Sequence, residues 1–331
     1  MHTPEEAGSL PALADAREPR QFSEHSPLAQ PGIDPDNPPW GAGMAILVWI
    51  ASLFLLGIGS AILLIPYAAH RGITPAMPDY ARALSEFALK DPAAIFLQVF
   101  STLPAHVITV AIVWAVVTRF GRLPFWKTLG WSWGRYFGLW TSVSLGVVLF
   151  FASSALAHFL GGDKLTPLEE ILNSSPATRY MIAFLATLTA PLVEEFVFRG
   201  VMYSALQRLM GKIAALLLKL TLATRSRPTL PHMIGGVGAV VFVTALFTAV
   251  HVPQYRTNYG VIAAVGLLSF TLTVIRAVSG RLLPCYIVHL VFNGIQSVII
   301  LWRPSGNRPV VAPDHAAALF LPLLHALHSI I

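Results

Sequence analysis

The chain has 331 residues, of which 55% are apolar and 11% charged, with a mean hydropathy of +0.65. Soluble domains carry roughly 25% charged residues, so this composition excludes a soluble globular enzyme and identifies an integral membrane protein. The formal charge of +6 does not point to nucleic acid, because the basic residues lie between apolar runs and form no stripe interleaved with aromatics.

Residues 1–40 contain eight prolines, acidic Glu5, Glu6, Asp15 and Glu18, and almost no apolar periodicity. Such a segment cannot bury enough surface to offset ordering entropy, so it reads as a disordered cytoplasmic arm ahead of a membrane domain over 41–331. Its acidic start and the length of the first apolar run do not fit a signal peptide.

Apolar runs long enough to span are Met44 to Tyr67, Ala93 to Thr118 and Tyr136 to Gly162. Four more follow: Tyr180 onward through Glu194, Met233 to Val250, Gly260 to Ile275, and Leu282 to Trp302. The tail, Ala316 to Ile331, is short, carries His325 and His328, and is taken as an eighth span. The expectation is an all-α polytopic bundle of about eight transmembrane helices. With the N-terminus in the cytoplasm, thirteen Lys/Arg fall inside and eight outside, which accords with the positive-inside rule for a multi-pass protein of the cell (inner) membrane.

The connectors have their own signals. His70 to Asp91 reads as a turn followed by a short amphipathic helix, and Pro104 with His106 predicts a kink with a locally satisfied histidine. Phe125, Trp126, Trp131 and Trp133 among basic residues predict an interfacial segment. Thr166 with Glu169 and Glu170 predicts a helix start. Met202 to Leu220 is expected to emerge along the membrane surface.

Three charges stand at the end of the fourth run, in Glu194-Glu195-Phe196-Val197-Phe198-Arg199. Each costs about 2.5–3.5 kcal/mol at the centre of a membrane helix, so they need a compensating role. Glu195 and Arg199 are four residues apart and share a helical face, which predicts that Arg199 neutralises Glu195. Glu194 points about 100° away and is left free to act as a general base. The plainer alternative is an ion pair that only holds helices together.

Two further apolar runs carry histidines. Phe247-Thr248-Ala249-Val250-His251 closes the fifth, and His289 in the seventh has Asn293 four residues on, on the same face. A paired His and Asn inside a membrane supply two donors that can converge on a developing oxyanion. Together with Glu194 and His251 to activate a water, they form a kit for hydrolysing an amide without a cofactor. The lone Cys285 excludes an intrachain disulfide framework, and it is assigned to packing.

Glu194-Glu195-x-x-x-Arg199, Phe247-x-x-x-His251 and His289-x-x-x-Asn293, in that order on successive apolar segments, resemble the three motifs of the CAAX-protease and bacteriocin-processing (Abi) family of intramembrane glutamic endopeptidases. The resemblance covers about residues 180–300. It implies an eight-helix membrane fold with its catalytic cavity open to the cytosol and a membrane-associated or lipidated peptide or protein as substrate. By motif position, Glu194 and His251 would activate water, His289 and Asn293 would form the oxyanion hole, and Glu195 and Arg199 would support the site.

Three other readings compete. Glu194, His251 and His289 could ligate zinc, although the paired His-Glu-x-x-His spacing is absent. Intramembrane Glu, Arg and His could relay protons in a transporter, although matching repeats are missing. The polar residues could also serve a non-catalytic scaffold. One geometric difficulty attends the hydrolase reading: straight helices with these boundaries put His251 about 22 Å along the fifth span, toward the opposite face from Glu194. Either that span starts later or tilts, or a helix breaks near Pro191.

Overall fold

The structure, a computed structural model, describes residues 34–162, 166–220, 229–255 and 258–302. Its helices are α1 (Ala42–His70), α2 (Tyr80–Lys90), α3 (Pro92–Phe100), α4 (Thr102–Thr118), α5 (Phe125–Thr128), α6 (Leu139–Phe159), α7 (Pro167–Ser174), α8 (Pro176–Phe184), α9 (Ala190–Glu194), α10 (Tyr203–Leu220), α11 (Leu230–Tyr255), α12 (Tyr259–Ser279) and α13 (Leu283–Trp302). Among the described residues seven helical stretches are long and apolar enough to cross a membrane. The protein is an all-α polytopic membrane protein. The eighth span expected at Ala316 to Ile331 lies outside the described residues, as does the arm expected over 1–40 as far as residue 33.

Local chemistry explains where helices start and break. Thr166 caps α7 with a capping box: its hydroxyl accepts from the Glu169 amide, and the Glu169 carboxylate accepts from the Thr166 amide. The short amphipathic helix expected before residue 91 is α2, and Asp91 caps α3 by accepting from the Ala93 and Ala94 amides. The second span is divided at Ser101. Pro104 has no N–H to give to the Phe100 carbonyl, and the chain breaks between α3 and α4 at that point. Gly59 of α1 lies opposite this break, where a Cβ would stand 3.4 Å from the Ser101 carbonyl oxygen.

The span that carries the glutamates is longer than expected. Residues Pro176–Leu220 form one helical rod, in which α8, α9 and α10 are joined by two π-helical segments, Leu185–Thr189 and Glu195–Met202. The first lies just ahead of Pro191, which cannot donate to the Thr187 carbonyl, and a widened turn accommodates that missing bond. The second is buried along its whole length. Its residues Phe196, Val197, Val201 and Met202 sit in the largest apolar cluster with Val113 and Val117 of α4, Ala45 and Val48 of α1, and Val243 and Phe247 of α11.

Met202 to Leu220, expected to emerge along the membrane surface, continues the rod, and α10 packs along α11 as the first arm of a hairpin. Glycines allow the two arms to touch: a Cβ on Gly235 would lie 2.5 Å from the Gln207 carbonyl oxygen and 2.6 Å from the Gly211 nitrogen. Further along, Gln207 Nε2 and His232 Nε2 are hydrogen-bonded at 3.0 Å, and the rings of Phe198 and Phe247 meet edge to face at 5.1 Å. Continuing these rungs brings Glu194 level with His251. On the other side α6, α12 and α13 pack together around Leu149, Leu268, Leu272, Val288 and Phe292. Exposed apolar side chains such as Leu47, Phe54 and Ile62 on α1, and Val237 and Val241 on α11, form the faces that lipid covers.

Candidate active site

Glu195 and Arg199 form the ion pair expected from their spacing. Arg199 Nη1 donates to Glu195 Oε1 at 3.0 Å, and both side chains are fully buried. Burial of such a pair is tolerable only when the remaining donors are also satisfied. Three partners from α12 do this: Arg199 Nε donates to Thr273 Oγ1 at 3.3 Å, and Nη2 donates to the Ser269 carbonyl at 3.1 Å and to Ser269 Oγ at 2.9 Å. The guanidinium also lies 4.6 Å from the centre of the Phe247 ring.

The same carboxylate oxygen fixes the first histidine. His289 Nδ1 is 2.8 Å from Glu195 Oε1, the same oxygen that accepts from Arg199, so Nδ1 is placed to donate to it. His289 Nε2 is thereby turned toward Glu194, with Oε2 at 3.7 Å. The second histidine is fixed from its own helix. His251 Nδ1 donates to the Phe247 carbonyl at 2.7 Å, which leaves Nε2 as the acceptor facing Glu194 Oε1 at 3.9 Å. One Glu194 oxygen thus faces each imidazole.

Among the described residues Glu194 pairs with no Lys or Arg, and its side chain is 25% exposed where that of Glu195 is 0%. The rotation between adjacent helical positions produces this difference: Glu195 turns into the packed core and Glu194 turns into an open site. Phe247 serves both, because its ring stacks on His251 with centroids 4.4 Å apart, meets His289 edge-on at 6.2 Å and carries the Arg199 guanidinium.

Asn293 lies one turn beyond His289 on α13 and is half-buried. Its Nδ2 donates to the Ala186 carbonyl at 2.9 Å, within the first π-helical segment. The adjoining turn of α13 is tied to the same region, since Thr187 Oγ1 donates to Ser297 Oγ at 2.8 Å. These bonds set the distance between α13 and the rod that carries Glu194. Asn293 therefore has a fixed backbone partner beyond anything its spacing from His289 implied.

Of the residues read from the sequence, Glu194, Glu195, Arg199, His251 and His289 converge on one another. The expected displacement of His251 to the far face does not occur, because the rod and α11 are both longer than their apolar runs. Ser269, Thr273 and Phe247 were not assigned any task by sequence reasoning. Phe247 could have been found from its place four residues before His251, on the same helical face. Ser269 and Thr273 share a face of an ordinary apolar helix and give no such signal. His106, expected to be locally satisfied, is hydrogen-bonded through Nδ1 to Thr189 Oγ1 at 3.0 Å, five residues ahead of Glu194. Cys285 is buried with its thiol directed at the Leu272 and Arg281 carbonyls, as a packing residue is.

Among the described residues, no group of three or more His, Cys, Asp or Glu is arranged to hold a metal ion.

A family model, Type II CAAX prenyl endopeptidase Rce1-like, matches residues 176–295. The match begins at the first residue of α8 and ends two residues beyond Asn293, so it contains the rod, the hairpin and every residue of the site. Over this segment the chain is similar to the Rce1-like family, and the stretch that matches contains the three motifs quoted from the sequence. No curated protein and no solved structure matches the chain.

Proposed function

We propose, from the premise that residues 176–295 are similar to the Rce1-like family, that this membrane protein is a hydrolase that cleaves a peptide bond by a glutamate-activated water. The single observation that carries the chemistry is the placing of Glu194 between two imidazoles whose far nitrogens are already committed. A water at Glu194 can donate one hydrogen to the carboxylate and the other to His251 Nε2, which orients its oxygen lone pair outward.

Glu194 then takes the proton as the oxygen attacks the scissile carbonyl carbon. The carbonyl becomes a tetrahedral oxyanion, and His289 and Asn293 supply the donors that hold it. In that role His289 carries a proton on each nitrogen, Nδ1–H toward Glu195 and Nε2–H toward the oxyanion. Collapse of the intermediate breaks the C–N bond, and the proton held by Glu194 passes to the leaving amine. The products are one carboxylic acid, which keeps the water's second hydrogen until it ionises to solvent, and one amine, and Glu194 returns to its starting form. Glu195 and Arg199 do not react; they hold His289 in its tautomer and position.

The substrate expected is a membrane-associated or lipidated peptide or protein. The site is expected to open to the cytosol, in the cell membrane. A chelator-insensitive activity is expected, since His251 and His289 act on water and oxyanion and not on zinc. The test is incubation of purified, reconstituted protein with a library of membrane-anchored and lipidated peptides in ¹⁸O-water. Mass spectrometry should find one ¹⁸O in each new carboxyl group with the native protein and no product with Glu194→Gln. Absence of any cleavage, or equal cleavage by Glu194→Gln, would overturn the reading.

A further inference from the structure

Ahead of α1, residues 34–40 cross the end of the helix bundle and are gripped by arginines from three helices. Arg276 at the end of α12 is 1% exposed; its Nη1 donates to Asp36 Oδ1 at 2.6 Å and its Nη2 to the Pro35 carbonyl at 3.1 Å. Arg208 of α10 donates through Nη1 to the Pro38 carbonyl at 2.5 Å and the Asn37 amide oxygen at 3.3 Å, and through Nη2 to the Trp40 carbonyl. Arg119, at the end of α4, donates to the Pro39 carbonyl at 3.1 Å. In the sequence these three arginines serve only to set membrane orientation, a role that needs no partner. A buried guanidinium without a carboxylate would be strongly destabilising, so Asp36 is what makes Arg276 tolerable.

The crossing is built for close contact. Gly130 has φ +73°, and a Cβ there would lie 3.1 Å from Pro35 and 3.0 Å from the Gly280 carbonyl oxygen. Gly280 has φ +64°, and its Cβ would meet Asp36 Oδ2 at 3.3 Å. Beyond it, Trp40 is 5% exposed and enters the core beside Phe196, Val197 and Val201. Its Nε1 donates to the Val201 carbonyl at 3.0 Å.

Val201 belongs to the π-helical segment Glu195–Met202 that directly follows Glu194. A π-turn holds one residue more than an α-turn. If the segment relaxed to α-helix, everything on one side of it would rotate by about 100° relative to the other. Glu194 and Glu195 would then leave His251 and His289. Whatever fixes the segment in its wide form therefore aims the carboxylates, and the Trp40 indole occupies one of its last carbonyls.

We infer that residues 34–40 are a strap that sets the register of the glutamate-bearing helix, with Trp40 and the Asp36–Arg276 pair as positioning residues of the site. They touch no reacting atom. The inference uses the hydrolase reading only for its kinetic readout.

The test compares native protein with Trp40→Phe, which keeps the ring but removes the N–H, and with Asp36→Asn and Asp36→Glu. Measurements are kcat and KM on a cleaved peptide, amide hydrogen exchange, and thermal unfolding in the same detergent. Trp40→Phe and Asp36→Asn should lower kcat about tenfold to a hundredfold with KM within about twofold. Exchange should accelerate at amides 195–202 in both variants and stay native in α13; α12 should stay native in Trp40→Phe, while Asp36→Asn, which orphans Arg276, should also loosen the last turn of α12, with Asp36→Glu recovering most of the activity. Native exchange at 195–202 in both Trp40→Phe and Asp36→Asn would overturn the strap. So would acceleration spread evenly over all helices, which marks general destabilisation. If the native protein cleaves nothing, the hydrolase reading fails while the exchange measurement still decides the strap.

Discussion

Glu194 Oε1 lies 3.9 Å from His251 Nε2, although the two residues stand at far positions on different helices. The hairpin of α10 and α11 creates this approach. Its rungs run from Gln207 with His232, through Phe198 with Phe247, to Glu194 with His251, so the depth of the histidine is set by a contact many residues away.

The most direct consequence concerns Glu194 itself. Glu194→Gln keeps the shape and removes the base, and the side chain is partly exposed and pairs with no Lys or Arg among the described residues. Peptide cleavage should fall by about 10²–10⁴, the contribution of a positioned general base, while the thermal midpoint stays within a few degrees of native. A variant that cleaves at the native rate would remove Glu194 from the mechanism.

A second prediction tests the hairpin. In Gly235→Ala the new Cβ would meet backbone atoms of Gln207 and Gly211 at 2.5–2.8 Å, where no side chain can yield. The arms must separate, at a cost of about 1–3 kcal/mol, and His251 moves off Glu194. Cleavage should drop more than tenfold, whereas Gly41→Ala, where a Cβ meets nothing within 4 Å, should keep the native rate and lose at most about 1 kcal/mol at the N-cap of α1. Equal behaviour of the two variants in unfolding and kinetic assays would contradict this account.

Arg199 should resist conservative exchange. Lysine cannot reach Glu195, Thr273 and Ser269 together, because a compact ammonium lacks the planar fork that spans them. Arg199→Lys should lose about 3–5 kcal/mol, the range for a broken buried pair, and yield little folded protein on size-exclusion chromatography. The milder Ser269→Ala removes one of four Arg199 partners and should cost about 1–3 kcal/mol in a denaturation assay, with His289 still held by Glu195.

Asn293 separates positioning from chemistry. Asn293→Ala frees the Ala186 carbonyl and removes a donor beside His289. Loss of an oxyanion donor should lower kcat by about 10²–10³ with KM nearly unchanged. A fall in KM-dependent binding alone, with native kcat, would restrict Asn293 to holding α13 against the rod.

The seven spans, the capped start of α7 and the amphipathic α2 were all legible in the sequence, because each depends on a period or a cap within a single segment. The Glu195–Arg199 pair was legible for the same reason, four residues on one helix. The separation of Glu194 from Glu195 followed from their rotation by one position. None of these inferences needed to know what lay on the neighbouring helix.

What the chain order alone determined, then, is which side chains are too polar for lipid and which of them can meet along their own helix. Only the tertiary structure decided that His289 leans on Glu195, that the Phe247 ring meets both Arg199 and His251, that Ser269 and Thr273 complete the guanidinium, and that Trp40 and Asp36 reach the bundle at all. Those contacts depend on the depth and rotation of separate helices. Both are set by close approaches at glycines and by widened turns at Pro191 and Val201, where small backbone changes far from the site turn whole faces toward or away from one another.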